Sequence, residues 1–270
     1  MKKHPKFTSV RFGADPELFL ISHRGKFVSS VGRIGGSKES PRAIDRSGSA
    51  VQEDNVAVEF NTRPASTQKD FVKSILKPLT YLTKFVAGQN LQLRIVPSAI
   101  FTKEELMSPQ AMTFGCDPDF NAWTGKENPP PQAIGRTKRL RTCGGHLHLS
   151  WKMPEPGERE EIIKALDLFL GVPSTFLDGD TLRRSLYGKA GAYRPKDYGV
   201  EYRVLSNFWI RSTQSIEWTY SQAQRALQFL MDGNTLDGED KSLILKTINN
   251  NHKKSGERLI AKHDLSLLAG

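Results

Sequence analysis

Cysteine is almost missing from this chain. Cys116 and Cys143 are the only two in 270 residues, too few for a disulfide framework and without the pairwise spacing of a thiolate zinc site. Both are expected to stay reduced. No apolar run approaches the roughly 20 residues that cross a bilayer. The basic start Met1-Lys2-Lys3-His4-Pro5-Lys6 leads into no apolar signal segment, so a cytoplasmic protein with no membrane partner is expected. Low-complexity tracts, internal repeats and obvious linkers are absent as well. Residues 1–270 are therefore read as a single domain whose C-terminal part, from about residue 214, is helical. A Walker A loop is also lacking: neither Gly125-Lys126 nor Gly188-Lys189 has a glycine five residues earlier or a Ser/Thr next, which excludes a P-loop enzyme.

What is present is an ordinary globular composition, 37% hydrophobic and 25% charged, with 39 Lys+Arg against 29 Asp+Glu for a net charge of +10. Such an excess invites a polyanionic partner, either nucleic acid or nucleotide phosphates. The basic residues are spread out, apart from the denser run Arg136-Thr137-Lys138-Arg139-Leu140-Arg141. That run reads equally as a nucleic-acid contact or a solvated loop.

Helix signals are clear in places. Phe71, Ile75, Leu79, Leu82 and Val86 recur at helical spacing, although Pro78 should kink or split that helix. Ile162, Leu166 and Phe169 mark a second helix that Gly171 and Pro173 should end. Ile216, Tyr220, Ala223, Leu227 and Leu230 mark a third, and Leu243 to Ile248 a fourth. Residues 88–140 are less regular, with Asn128-Pro129-Pro130-Pro131 an extended loop. Strands come grouped instead of alternating strictly with helices, which points to an α+β fold.

Chemistry concentrates on four strands. In Cys143-Gly144-Gly145-His146-Leu147-His148-Leu149-Ser150-Trp151, period two puts both histidines on one face and both leucines on the other. In Phe12 to Leu20, Asp15 and Glu17 oppose Ala14, Leu18 and Leu20, with Pro16 suited to an edge or a strand start. In Asn55 to Asn61, Asn55, Glu59 and Asn61 oppose the valines and Phe60. In Val200 to Val204, Glu201 and Arg203 oppose Val200, Tyr202 and Val204. A sheet with one solvated face alternates this way by default. Acid pairs, paired histidines and a Glu-x-Arg pair, however, are residue types suited to ligation. If the strands are neighbours, Asp15, Glu17, Glu59, His146 and Glu201 form a cluster whose repulsion requires cations. Oxygen-rich ligation favours Mg²⁺, with Mn²⁺ possible, over zinc. Arg203 on that face, with Arg183, Arg184 and Arg194 just upstream, suits phosphate, so metal plus arginines suggests ATP. Gly32-Arg33-Ile34-Gly35-Gly36-Ser37-Lys38 offers backbone amides that could cradle an anion, with Lys38 as a point charge.

Taken in order, these segments resemble the carboxylate–amine ligase superfamily, the glutamine synthetase and glutamate–cysteine ligase relatives, and most closely the phage-type amidoligases. The resemblance runs from Phe12 to Trp209 through Gly13-Ala14-Asp15-Pro16-Glu17, Ile34 to Glu39, Val58-Glu59-Phe60-Asn61, Phe114 to Asn121, Gly144 to His148, Tyr187 to Arg194, and Tyr198 to Arg203. It implies a curved, mainly antiparallel sheet with helices on its convex side and ATP with magnesium on its concave face. It implies Glu17, Glu59, His146 and Glu201 as metal ligands with Asp15 beside them. His148 would lie near the nucleotide, and Arg194 and Arg203 on its phosphates. Lys38 and Lys189 are added as nucleotide contacts. The implied reaction makes an acyl phosphate that an amine displaces; Glu53 or Asp54 would take the amine's proton. The chain departs from glutamine synthetase in being shorter, in showing no obvious separate N-terminal domain, and in carrying one recognisable acid, Glu59, where that enzyme has a more widely spaced pair.

The expected partners are a carboxylate and an amine drawn from amino acids, peptides or modified nucleobases, with nucleic acid as one possible acceptor. Two competing functions remain at this point: a zinc-dependent hydrolase built on His146 and His148, and a basic nucleic-acid-binding protein. The oligomeric state is not legible in the sequence.

Overall fold

A computed structural model describes all residues except 1–6, 8, 47, 113–118, 132–137, 153–154 and 269–270. Cys116, the stretch Phe114–Pro118, and Arg136 and Thr137 of the basic run thus lie outside the described residues. In chain order the strands are β1 (Arg11–Ser22), β2 (Phe27–Val28), β3 (Arg42–Ala43), β4 (Ala50–Asp54), β5 (Ala57–Asn61), β6 (Leu91–Arg94), β7 (Ser98–Ile100), β8 (Phe120–Asn121), β9 (Lys126–Glu127), β10 (Leu140–Thr142), β11 (Gly145–Ser150), β12 (Ala192–Lys196) and β13 (Gly199–Tyr202). The main sheet is ordered β3-β4-β5-β1-β11-β13-β12-β8-β9, with β2 and β6 joined to the second half of β1, while β7 and β10 pair apart. These pairings are all antiparallel.

β1 is the hub. Its first half pairs with β11 from Arg11↔Ser150 to Pro16↔Gly145, and its pairing with β5 starts at Glu17↔Glu59. Pro16 is therefore inside a central strand and not at an edge or a start. It is tolerated because its missing N–H points to the β5 side, just before that pairing begins.

One face of this sheet is apolar. Phe12, Ala14, Leu18, Leu20, Val58, Phe60, Leu147, Leu149, Val200 and Tyr202 are buried in a single core cluster with the helices. Each large side chain buried this way is worth about 1.5–3 kcal/mol. Helix α1 (Gln68–Ala87) starts on its Thr67 cap and runs 20 residues with Pro78 inside. The proline does not split it, because Pro78 is itself part of the buried stripe Phe71, Ile75, Pro78, Leu82 and Val86. Packing outweighs the lost hydrogen bond, and Leu79 is only half-buried.

After the short α2 (Pro109–Met112), helix α3 (Glu158–Leu166) continues through a π turn at Asp167–Gly171 into α4 (Val172–Leu177). Gly171 and Pro173 do not end it. Gly171 is there for closeness, since a Cβ would lie 2.8 Å from the Tyr202 hydroxyl and 2.6 Å from Ile248. Pro173 falls where the π turn passes into α4. Then come α5 (Thr181–Leu186), α6 (Thr213–Met231), α7 (Gly238–Asn250) and α8 (Lys253–His263). The third and fourth sequence stripes lie in α6 and α7. α8, too polar overall to announce itself, packs against α7 and α4. Residues 128–131 have no regular structure, as their prolines require. Among the described residues no helix is long and apolar enough to cross a membrane.

Arg141, from the basic run, is buried. Its guanidinium donates to the carbonyls of Lys138, Leu140 and Ala111, so it ties β10 to α2 and is not available to nucleic acid.

Candidate active site

Register decides what meets on the other face. Asp15 pairs with His146, Glu17 with Glu59, and Glu59 in turn with Gln52. Further along, His148 pairs with Glu201, and Glu201 with Arg194. The acids of β1 and β5, the histidines of β11, the Glu/Arg couple from β13 onward and Arg194 of β12 therefore share one surface. A second, small apolar cluster comprises Phe19, Val56, Ala57, Phe101, Leu106, Ala111 and Cys143. Val56 belongs to that cluster and not with Val58 and Phe60, because Asn55 and Val56 form the β4–β5 turn, with Asn55 left-handed at φ 53°. Asn55 is thus not a strand residue. Asn61 does reach the polar face, where its amide donates to Gln52.

Among the described residues two groups of metal-competent side chains result: Glu17, Asp54 and Glu59 in one, and Asp15, His148 and Glu201 in the other. In each, the ligand atoms lie within 4.8 Å of one another. Asp54, foreseen only as a base, supplies the second acid beside Glu59 that the sequence did not reveal. In the second group the trio holds His148. His146 bridges Asp15 (3.3 Å) and Glu201 (3.5 Å) through Nδ1. Gly144 makes room for this ring, since a Cβ there would collide with His146 Nε2.

The two groups differ electrically. Burial, then the charges of Asp15, Asp54, Glu17 and Glu201, push Glu59 well above the usual carboxylate range. Glu17 is also pushed up by burial, with Asp54 adding to it, against partial relief from His146 and the Gly144 N–H. In the other group burial is overcome. The two imidazolium-capable rings hold Asp15 well below its usual range. Glu201, despite burial and the Asp15 charge, is brought down to about 2 by Arg203 and the histidines. Asp15 raises His148 against the effect of burial.

Cations surround Glu201. Arg203 Nη1 sits against it, Lys196 Nζ lies 2.8 Å away and Arg194 Nη1 3.6 Å away. Arg203 also faces Asp119 at 3.4 Å. Even so, Asp15 Oδ1, His148 Nε2 and Glu201 Oε2 are buried and make no well-aligned hydrogen bond among the described residues. Buried donors and acceptors left in that state mark a place built for something else to bind. Hard oxygen donors with one imidazole fit a divalent cation.

Three foreseen residues fall elsewhere. Glu53 alternates to the opposite side from Gln52 and Asp54, and its carboxylate accepts the backbone N–H groups of Gly32, Arg33, Ile34 and Gly35 at 2.8–3.0 Å. It is not a base at this site. The glycine loop does cradle an anion, but that anion is Glu53 and not phosphate. Lys38 is exposed at the far end of that loop. Lys189 reaches the Asn249 carbonyl of α7, on the helical side of the sheet. The lysine that does lie on this face is Lys196, beside Glu201. Period two from Arg194 along β12 would have found it. Asp119 and Tyr198 were also missed: Asp119 precedes a two-residue strand, and Tyr198 sits in the β12–β13 turn, where periodicity says nothing.

Residues 136–228 match the family model of the phage phiEco32-like COOH.NH2 ligases, type 2. This span carries both histidines, Arg194, Lys196, Glu201 and Arg203. The match supports a carboxylate–amine ligase. A solved structure of GmaS without ligand aligns with a TM-score of 0.44 and 11% identity, over 96% of this chain and 70% of that one. No curated protein matches the chain.

Proposed function

We propose that the chain is an ATP- and Mg²⁺-dependent ligase that joins a carboxylate to an amine through an acyl phosphate. The observation that carries this reading is the convergence, on one sheet face, of two metal-competent trios with three phosphate-suited cations, Arg194, Lys196 and Arg203. Glu17, Asp54 and Glu59 would hold one divalent cation, and Asp15, His148 and Glu201, aided by His146, another. Bound there, such ions would supply charge neutralisation for the transferred phosphoryl group.

The chain's own cations do the same from the other side. Arg194, Lys196 and Arg203 donate to the phosphoryl oxygens as the substrate carboxylate attacks and ADP leaves. Leaving Glu201 for phosphate is feasible for Lys196, whose side chain is 29% exposed on a flexible stem. The amine then attacks the acyl carbon and phosphate departs. Of the two acids considered for the amine's proton, only Asp54 shares this face. A cavity of about 380 Å³ beside His148, lined by Arg11, Asn61, Thr62, Ser150 and Tyr198 among others, is of a size for the nucleoside.

The test is calorimetric titration of the intact chain with ATP and MgCl₂, followed by ADP release with mixed carboxylates and amines. Glu59→Gln and Glu201→Gln should abolish turnover. Failure of the wild-type chain to bind ATP with Mg²⁺ would reject the reading. Stoichiometric zinc together with ATP-independent hydrolysis would replace it with the hydrolase built on the histidine strand.

A further inference from the structure

Tyr198 is a large aromatic residue left 45% exposed beside a buried charged site. It lines the same cavity as Arg11, Ser150 and His148. Its hydroxyl lies 2.7 Å from His148 Nδ1, and the two rings are inclined by only 17° with centroids 6.1 Å apart. A phenol oxygen meeting a ring nitrogen at that separation puts the rings edge to edge, so His148 does not cover the face of Tyr198. The other ring nitrogen, Nε2, is 3.2 Å from Asp15 Oδ2. Tyr198 from the β12–β13 turn thus makes the hydrogen bond at Nδ1, while Nε2 faces Asp15 from β1 without a well-aligned hydrogen bond. That turn is itself tied down, because the Trp151 N–H donates to the Tyr198 carbonyl at 3.3 Å.

We propose that Tyr198 is a positioning and specificity residue: its hydroxyl fixes the His148 ring, and its exposed face stacks on the planar base of the nucleotide in the adjoining cavity. A solvated surface tyrosine would need neither the second ring nor the cavity. This inference rests on the nucleotide reading above. It goes beyond that reading in naming what distinguishes a nucleotide from a bare polyphosphate. The phosphates are met by Arg194, Lys196 and Arg203, and the base by Tyr198.

The experiment compares calorimetric binding of ATP and of inorganic tripolyphosphate, both with MgCl₂, to the intact chain. Wild type should prefer ATP. Tyr198→Leu should weaken ATP binding about 10-fold or more, from the usual strength of base stacking, while weakening tripolyphosphate binding no more than Tyr198→Phe, which lacks the same hydroxyl, does. Tyr198→Phe should keep the ATP preference, since the ring face remains, yet lower kcat because the Nδ1 hydrogen bond that orients His148 is lost. A Tyr198→Leu variant that keeps the full ATP preference, or that loses both ligands in equal proportion, overturns the inference. Equal binding of ATP and tripolyphosphate by wild type also overturns it. Binding of neither ligand by wild type would instead reject the ligase reading itself.

Discussion

Replacing Glu59 by glutamine should have opposite effects on the metal-free and the metal-loaded protein. Glu17, Asp54 and Glu59 present ligand atoms within 4.8 Å of one another. At an effective dielectric constant of about 20, two unit charges at that separation repel by about 3.5 kcal/mol, so the three acids cannot all ionise without a counter-charge. Glutamine keeps the shape of the side chain, and its carbonyl still accepts from the Gln52 amide that now lies 3.0 Å from Glu59. The metal-free variant should therefore unfold at the same temperature as wild type or a few degrees higher. Mg²⁺ at a hundredfold excess over its Kd should stabilise wild type by about 2.7 kcal/mol, several degrees in Tm for a chain of this size. In Glu59→Gln that gain should shrink, because the Glu17, Asp54 and Glu59 trio has lost one of its three anionic ligands while the Asp15, His148 and Glu201 trio is untouched. Thermal unfolding with and without MgCl₂, followed by circular dichroism, measures both effects. An undiminished Mg²⁺ shift in the variant, or a metal-free Tm well below wild type, would refute the reasoning.

Three more outcomes are expected. Lys196→Met should lower kcat about 100-fold, the scale of losing one donor to a developing charge, while its partly exposed ion pair contributes no more than about 1 kcal/mol to stability; rate and unfolding midpoint measured on one preparation decide this. Glu53→Ala should destabilise the fold by about 2 kcal/mol, since four backbone N–H groups lose their acceptor, yet keep its activity per folded molecule; loss of activity in folded variant would restore Glu53 as the base. The pH dependence follows from Glu17 and Glu59, whose folded pKa values are raised. An acid that binds its proton more tightly when folded stabilises fully below its unfolded pKa, and that contribution is lost as pH rises through the folded value. Metal-free stability should thus fall as pH rises from the ordinary carboxylate range upward, more steeply in wild type than in Glu59→Gln, and Mg²⁺ should restore it. Asp15 and Glu201, held low, are ionised throughout that window and add no slope.

Alternation along single strands was legible from residue order alone. It separated Asp15 and Glu17 from Leu18, His146 and His148 from Leu147, and Glu201 and Arg203 from Tyr202, because period two is a property of the extended backbone itself. The same rule, applied to β4, already sets Glu53 apart from Asp54, and applied to β12 it pairs Lys196 with Arg194. Helical stripes were equally visible, whereas helix ends were not. Gly171 and Pro173 act as breakers only in isolation, and here burial against Tyr202 and Ile248 carries the chain through them.

What the order of residues determined, then, is which side chains share a face of each strand and each helix, since that follows from local geometry. Which strands stand side by side, and in what register, was decided only by the folded chain. Only that registry brings Asp54 to Glu17 and Glu59, Lys196 to Glu201 and Tyr198 to His148. Contacts across such sequence separations arise from the burial of a shared apolar face, a free energy that no single segment contains.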